Sequence, residues 1–293
     1  MNSVIDSSRC RGRFLESMDR GDQARTIVIG APMDHTVSGR PGSRYGPEAI
    51  RFASELIEDY SPILDRELAD ARFYDAGDVL TPFGDIEASL NNIEAACKSV
   101  LETDKRLLVL GGEHLVTVAA VRAAHRLYPD LTVLQFDAHA DLRDDYLGQK
   151  FSHATAMRRV CDIIGMDSLW QLGIRSGTRE EYALMRSLGR MVDSELLCGA
   201  DRSETAQKII DAIGSRPTYL TIDIDVLDPA VAPGTGTPEP GGLGFGDLLH
   251  MLLRLLQLNV VGVDIVEVNP VVDSSGRTSI VAAKLVREIL LAL

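Results

Sequence analysis

The stretch LTVLQFDAHAD, residues 131–141, decides how the rest of the chain is read. Its first half is apolar and rich in β-formers, the length of a buried strand. Its second half puts Asp137, His139 and Asp141 at alternate positions. Side chains alternate faces along extended backbone, so all three can point the same way just where the strand runs out. Working outward, comparable apolar runs recur at 26–32, 72–78, 107–112, 169–174, 218–225 and 260–268. Between them, patterns of helical period occupy 47–58, 86–101, 116–127, 179–188, 204–213, 245–256 and 278–291. That alternation predicts an α/β fold, a mainly parallel sheet with helices on both faces. No repeat, low-complexity tract or linker divides the 293 residues. The expectation is one domain over 1–293, with 1–25 as an N-terminal extension placed at a subunit interface.

Composition narrows the function classes. With 45% hydrophobic residues the chain can bury a large core. The most apolar long segment, around 248–266, is broken by His250, Arg254, Gln257, Asn259 and Asp264. It reads as a helix followed by a buried strand, so no membrane span is expected. The first thirty residues are charged throughout and lack a signal peptide's apolar core, which makes a cytoplasmic location the expectation. Cys10, Cys97, Cys161 and Cys198 are scattered without a Cys-x-x-Cys pair, and are read as reduced thiols. A net charge of −13 repels nucleic acid and anionic membrane and draws in small cations.

Ligands of open α/β sheets bind outside the carboxyl ends of the strands. Three strand ends carry the same kind of residue. The run at 107–112 leads into GGEH, residues 111–114, ending on His114. The run at 218–225 ends in Asp223 and Asp225, and the central stretch supplies Asp137, His139 and Asp141. Taken alone, an Asp-x-Asp or Asp-x-His is more often a turn than a ligand set. Four carboxylates converging without counter-charge would cost many kcal/mol, and a metal cluster removes that cost. Oxygen and imidazole donors without a thiolate favour manganese or another hard-to-borderline divalent ion over structural zinc.

Five segments together extend this reading. GGEH (111–114), FDAHADLRDD (136–145), SHAT (152–155), TIDIDVLDPAVAPGTGTPEPGG (221–242) and DIVEVNP (264–270) resemble the signature set of the ureohydrolase family. GRPGSRYGPEAIR (39–51) and GIRSGTREEY (173–182) are more similar to its agmatinase branch than to its arginases. The resemblance runs from about Gly30 to the C-terminal helix. It implies a three-layer α/β/α fold with an eight-stranded parallel sheet, two Mn²⁺ ions per subunit and a homo-oligomer, trimer or hexamer. It also implies hydrolysis of agmatine to putrescine and urea by a hydroxide bridging the metals. Carried over by motif, His114, Asp137, Asp141 and Asp223 hold one ion. Asp137, His139, Asp223 and Asp225 hold the other, so Asp137 and Asp223 bridge. Glu113 stands where the family more often has Asp.

Chemistry agrees with that set. Two divalent ions about 3.5–4 Å apart can bring a bound water's pKa near neutral. Four aspartates balance their charge. A guanidinium is a poor electrophile, so it needs a fixed orientation as well as a strong nucleophile. Glu267, at the end of the last strand, matches the family's carboxylate for that purpose and can bind bidentately. His153 matches the histidine that protonates the departing amine, since an imidazole titrates in the useful range. Thr237, in the Gly/Pro/Thr stretch 233–238, is expected beside the metals or substrate, in a rigid loop rather than a phosphate loop.

The choice of substrate rests on residues 142–149. They lack the Asn and Ser that arginases use for an α-carboxylate, while an acidic rim containing Asp144 or Asp145 would suit agmatine's ammonium. Guanidinobutyrate, guanidinopropionate, guanidine and arginine stay open. So do two rivals, a single-zinc acetylpolyamine deacetylase-like enzyme and a non-catalytic regulator. Arg40, Arg44 and Arg51 are read as ion-pair residues, Asp228 as a turn residue, and His35 as a loop residue able to line the substrate mouth.

Overall fold

The computed structural model describes residues 4–6 and 12–293. Eight parallel strands form the centre: β1 (Thr26–Ala31), β2 (Phe73–Val79), β3 (Arg106–Gly111), β4 (Thr132–Phe136), β5 (Leu169–Leu172), β6 (Met191–Val192), β7 (Thr218–Asp223) and β8 (Val260–Val266). Their spatial order is β2-β1-β3-β8-β7-β4-β5-β6, and a two-residue strand, Ile5–Asp6, pairs antiparallel with the outer edge of β2. Almost every strand residue is buried on both faces, as a sheet covered by two helical layers requires.

The helices are α1 (Gly46–Ser54), α2 (Ile86–Leu101), α3 (Val116–Leu127), α4 (Ala156–Ile164), α5 (Arg179–Leu188), α6 (Ser194–Cys198), α7 (Arg202–Ile213), α8 (Phe245–Leu255) and α9 (Arg277–Ala292). Two separate apolar clusters assign them to faces. Leu108 and Leu110 of β3 pack with α1, α6, α7, α8 and α9. Leu107 and Val109, one residue out of phase, pack with α2, α3, α4 and α5. The alternation of a strand thus feeds both cores. Each buried Val or Leu contributes roughly 1.5–3 kcal/mol, so neither layer is peripheral. The three-layer α/β/α architecture expected from the sequence is the one found.

Helix α4 and strand β6 escape the periodicity reading. In α4, buried Met157, Val160 and Cys161 have helical spacing, but the segment follows directly on a polar loop. Strand β6 is two residues long, too short to show alternation. Part of the expected N-terminal extension belongs to the domain itself. Phe14 is buried, its ring edge-on to Phe73 at 6.0 Å, and its N–H donates to Asp75 Oδ2 at 2.9 Å. Cys10 lies outside the described residues, while Cys97, Cys161 and Cys198 are free thiols. Among the described residues no helix is long and apolar enough to cross a membrane.

Because the strands are parallel, β3, β8, β7 and β4, neighbours in that order, present their carboxyl ends along one edge. Gly112 lets the chain after β1 close over this edge. A Cβ there would lie 1.9 Å from the Met33 carbonyl oxygen, and Glu113 N–H donates to that carbonyl at 2.7 Å. The GG of GGEH is therefore a packing requirement.

Candidate metal centre

Just past β3, the fully buried His114 aims Nδ1 into a ring of carboxylates: Asp137 Oδ2 at 3.0 Å, Asp141 Oδ2 at 3.3 Å and Asp223 Oδ2 at 3.4 Å. Beside it, His139 Nδ1 lies 3.0 Å from Asp225 Oδ2 and 3.6 Å from Asp137 Oδ1. Two groups of donor atoms result, His114/Asp137/Asp141 and Asp137/His139/Asp225, each with its atoms within 4.8 Å of one another. Asp137 belongs to both. Asp223 reaches the first group through His114.

The local backbone explains the convergence. Asp137 Oδ1 accepts from His139 N–H at 2.6 Å, and Gln135 Nε2 donates to Oδ2 at 2.6 Å. Asp223 Oδ1 accepts from Asp225 N–H at 2.9 Å, and Asp225 Oδ1 accepts from Ala138 N–H at 3.1 Å. Each of these three aspartates spends one oxygen on the loop. The other oxygen of Asp223 and of Asp225 is left for the cluster. Asp141 and Glu267 have φ of 54° and 62°, a left-handed backbone that non-glycine residues rarely adopt and that gathers at functional sites. Glu181 holds the Asp141 bend from outside, accepting Leu142 N–H at 2.9 Å while capping α5 through Thr178 N–H at 2.7 Å.

Electrostatics mark the site as strained without cations. Burial pushes Asp141 up to about 6 and raises Asp223 well above the carboxylate range, with neighbouring aspartates adding to both. Burial and then Asp137 raise Asp225 as well. Burial alone would raise Asp137, yet His114 and His139 pull it below its ordinary value. Burial would also depress the imidazoles, but their carboxylates outweigh it, taking His139 up to about 12 and His114 well above 6.5. Among the buried polar atoms, His114 Nδ1 and Asp225 Oδ2 have no hydrogen-bond partner. Buried polar atoms are almost always satisfied, so two orphans facing an all-oxygen-and-imidazole cluster fit divalent cations well. On its far side His114 Nε2 meets Thr221 Oγ1 at 2.9 Å, the kind of outer contact that orients a ligating imidazole.

Above the cluster opens a cavity of about 240 Å³, lined by His114, His139, Asp141 and Asp223 and, around them, His153, Thr237 and Glu267. The sequence-expected His153, Thr237 and Glu267 thus share one space with the ligand set. Glu267 is nearly buried, and its Oε1 accepts His114 N–H at 2.8 Å. Burial first, then Glu113, raises its carboxyl to about 8. Burial lowers His153.

Asp144 is placed differently from its expectation. Its carboxylate is 72% exposed and paired with Arg159 at 2.7 Å and Arg158 at 3.6 Å, which holds it below its ordinary pKa. Two arginines of α4, the helix without a clear periodicity signal, turn it away, and it does not line the cavity. His35 does not line it either. Arg51 forms the expected ion pair, with Asp75 at 2.7 Å and Asp78 at 2.6 Å, and Arg44 pairs with Asp34. Asp228 is a turn residue, accepting from the N–H groups of Ala230, Gly241 and Gly242.

Residues that sequence reasoning passes over also line the cavity: Ser38, Arg143, Tyr146 and Ser176. Arg143 stands over the Tyr146 ring at 5.1 Å, and that ring meets His153 edge-on at 5.8 Å. They sit in loops, where no periodicity marks a facing direction. Gln135 is legible in principle, being two positions before Asp137 on the same strand face.

A model of the Arginase family matches residues 24–292 of this chain. The agmatinase of Bacillus cereus is 45% identical over 280 residues, covering 95% of this chain and 95% of its own. That of Bacillus subtilis is 45% identical over 282 residues with the same coverage. Among solved structures, the agmatine ureohydrolase of Thermoplasma volcanium superposes with a TM-score of 0.85 at 34% identity, covering 96% of this chain and 93% of that one. The matched range spans every strand end that carries a donor, and the chain belongs to the arginase family.

Proposed function

We propose that this chain is an agmatinase, hydrolysing agmatine to putrescine and urea with two Mn²⁺ ions as cofactors. The observation that carries the proposal is the pair of donor groups sharing Asp137 beneath a cavity that also contains Glu267 and His153. His114, Asp137, Asp141 and Asp223 would hold one cation, and Asp137, His139, Asp223 and Asp225 the other. When bound, such a pair acidifies water enough for it to attack at neutral pH. The donors that the resemblance implies for both ions stand together in these groups, with Asp223 beside them, which argues against a single-metal deacetylase type and against a regulator.

The remaining chemistry belongs to side chains. Glu267 receives the guanidinium N–H groups, and its fixed Oε1 prevents the carboxylate from rotating away. Bidentate pairing orients the planar carbon toward the ligand cluster and keeps the group cationic and electrophilic. Attack makes a tetrahedral carbon whose collapse expels the amine. That amine needs a proton, and His153 Nε2, on the cavity wall, gives it after taking up the proton that the attacking water releases. Asp141, a member of the ligand cluster that also lines the cavity, receives that proton first and passes it on to His153. Thr237 closes the wall beside the guanidinium.

The named relatives support agmatine, as does the absence of the arginase-type Asn and Ser in 142–149. Arg143 on the cavity wall supports a second reading. A guanidinium there suits a tail ending in a carboxylate, as in guanidinobutyrate or guanidinopropionate. A homo-oligomer, trimer or hexamer, and a cytoplasmic location complete the reading; exposed Phe52, Leu56 and Ile63 offer apolar surface for subunit contact.

Urea release from manganese-loaded protein, offered agmatine, arginine, guanidinobutyrate, guanidinopropionate and guanidine, tests the proposal. The highest kcat/KM on agmatine, with close to two metals per chain, is expected. Preference for an acid-tailed substrate would transfer the assignment to the second reading, and no urea from any of them would end both.

A further inference from the structure

His153 is held by one residue that no motif singles out. Thr36 follows β1 in the loop over the strand ends, and all of its polar groups are engaged in two directions. Toward the interior, its N–H donates to Glu113 Oε2 at 2.9 Å and its hydroxyl donates to the same oxygen at 2.6 Å. Toward the cavity, its hydroxyl oxygen accepts His153 N–H at 2.8 Å, and its carbonyl oxygen lies 2.7 Å from His153 Nδ1.

The last contact has only one proton arrangement. A carbonyl oxygen cannot donate, so Nδ1 must carry the hydrogen. Ser152 Oγ, at 3.3 Å from the same nitrogen, is the weaker contact. With Nδ1 protonated, the neutral ring presents its lone pair at Nε2, which faces Ser38 Oγ at 3.1 Å on the cavity wall. The hydrogen on Nδ1 thus settles which nitrogen exchanges protons with a ligand.

Glu113 explains why Thr36 can be so placed. It is fully buried, with Oε2 taking both Thr36 donors and Oε1 without a hydrogen-bond partner. Glu113 directly precedes His114, whose N–H fixes Glu267. One turn, 111–114, therefore sets a candidate metal ligand, the carboxylate of the guanidinium site and, through Thr36, the imidazole opposite.

We infer that Thr36 and Glu113 are positioning residues that fix His153 as its Nδ1–H tautomer, with Nε2 as the proton-transferring atom. The inference rests on the role proposed above for His153. Thr36→Val removes the hydroxyl bridge that seats the Thr36 carbonyl against His153 Nδ1, so the carbonyl is no longer held there. It is expected to lower kcat about tenfold or more, with KM and manganese content unchanged. Thr36→Ser restores it. Glu113→Gln, which weakens the same bridge, moves kcat in the same direction. In a His153→Asn background Thr36→Val should add nothing, because both act through one ring.

A readout independent of turnover is ¹⁵N-histidine NMR of zinc-loaded, diamagnetic protein. Wild type is expected to show Nδ1–H, and Thr36→Val a mixture of tautomers. An Nε2–H ring in wild type overturns the inference even in a protein that releases urea. An additive loss of kcat in the double variant overturns it as well. A protein that hydrolyses none of the guanidino compounds but shows the tautomer shift keeps the inference and loses only the proposed function.

Discussion

His114 and Glu267 are tied main chain to side chain. The N–H of one donates to Oε1 of the other at 2.8 Å, across the ends of adjacent strands β3 and β8. A candidate ligand and the carboxylate facing the substrate therefore move as one unit. Glu267→Ala leaves the donor clusters intact but removes the acceptor for the guanidinium. Catalytic efficiency on agmatine should drop 100-fold or more, about 2.7 kcal/mol of lost transition-state binding. Manganese content should stay near two per chain. An efficiency equal to wild type would show that the guanidinium is held elsewhere.

Asp137 belongs to both donor groups, so it should behave unlike a ligand of one ion. Asp137→Ala is expected to lose both metals together, measured as metal per chain after dialysis. Asp225→Ala, whose residue falls in one group, should keep close to one. Two retained metals in Asp137→Ala would sink the shared-ligand assignment.

His153→Asn removes the proton-bearing ring while leaving a polar side chain. The expected result is full metal content with kcat lowered 100-fold or more, within the range for losing a general acid. Wild-type turnover across pH would take His153 out of the chemistry.

The strand ends are legible in sequence because two signals coincide there: apolar runs long enough to be buried, and donor residues at period two just beyond them. Asp137, His139 and Asp141 obey that rule, as do Asp223 and Asp225. Direction within loops is what the sequence hides. Asp144 looks like an acidic rim residue until helix α4, which periodicity does not announce, supplies Arg158 and Arg159 to claim it. Arg143, its neighbour, turns inward instead. Thr36 lies beside His35, which draws attention because imidazoles carry chemistry. The importance of Thr36 comes from four hydrogen bonds to residues 77 and 117 positions away, a relationship no local pattern encodes.

Outside the cavity lining, Arg51 is 2% exposed and bonds Asp75 through two nitrogens and Asp78 through a third. Removing one partner of a buried pair leaves the others charged and unsatisfied. Arg51→Met is expected to cost about 3–5 kcal/mol in urea denaturation. The loss should shrink when Asp75→Asn is added, since the stranded charge goes with it. A single variant as stable as wild type would mean that the aspartates find water or another cation.

Metal and pH should be linked in stability. In the metal-free protein Glu267 is raised from 4.5 to about 8, Asp141 from 3.8 to about 6, and His139 from 6.5 to about 12. Each raised group binds more protons folded than unfolded above its unfolded value. Its stabilising effect is complete below that value and is lost as pH climbs toward the folded one. Asp137, which is lowered, acts oppositely and loses its contribution only as pH falls below the ordinary carboxylate range. Between about pH 4.5 and 8 the raised groups dominate, so the melting temperature of metal-free protein should fall as pH rises. Manganese supplies the counter-charge these carboxylates lack and favours unprotonated imidazoles, so it should stabilise most at about pH 8 and flatten the profile. Scanning calorimetry with and without manganese reads both slopes. A metal-free melting temperature that rises between about pH 5 and 8 would mean the carboxylates are not crowded in solution as they are here, and the case for a paired cation site would fail with it.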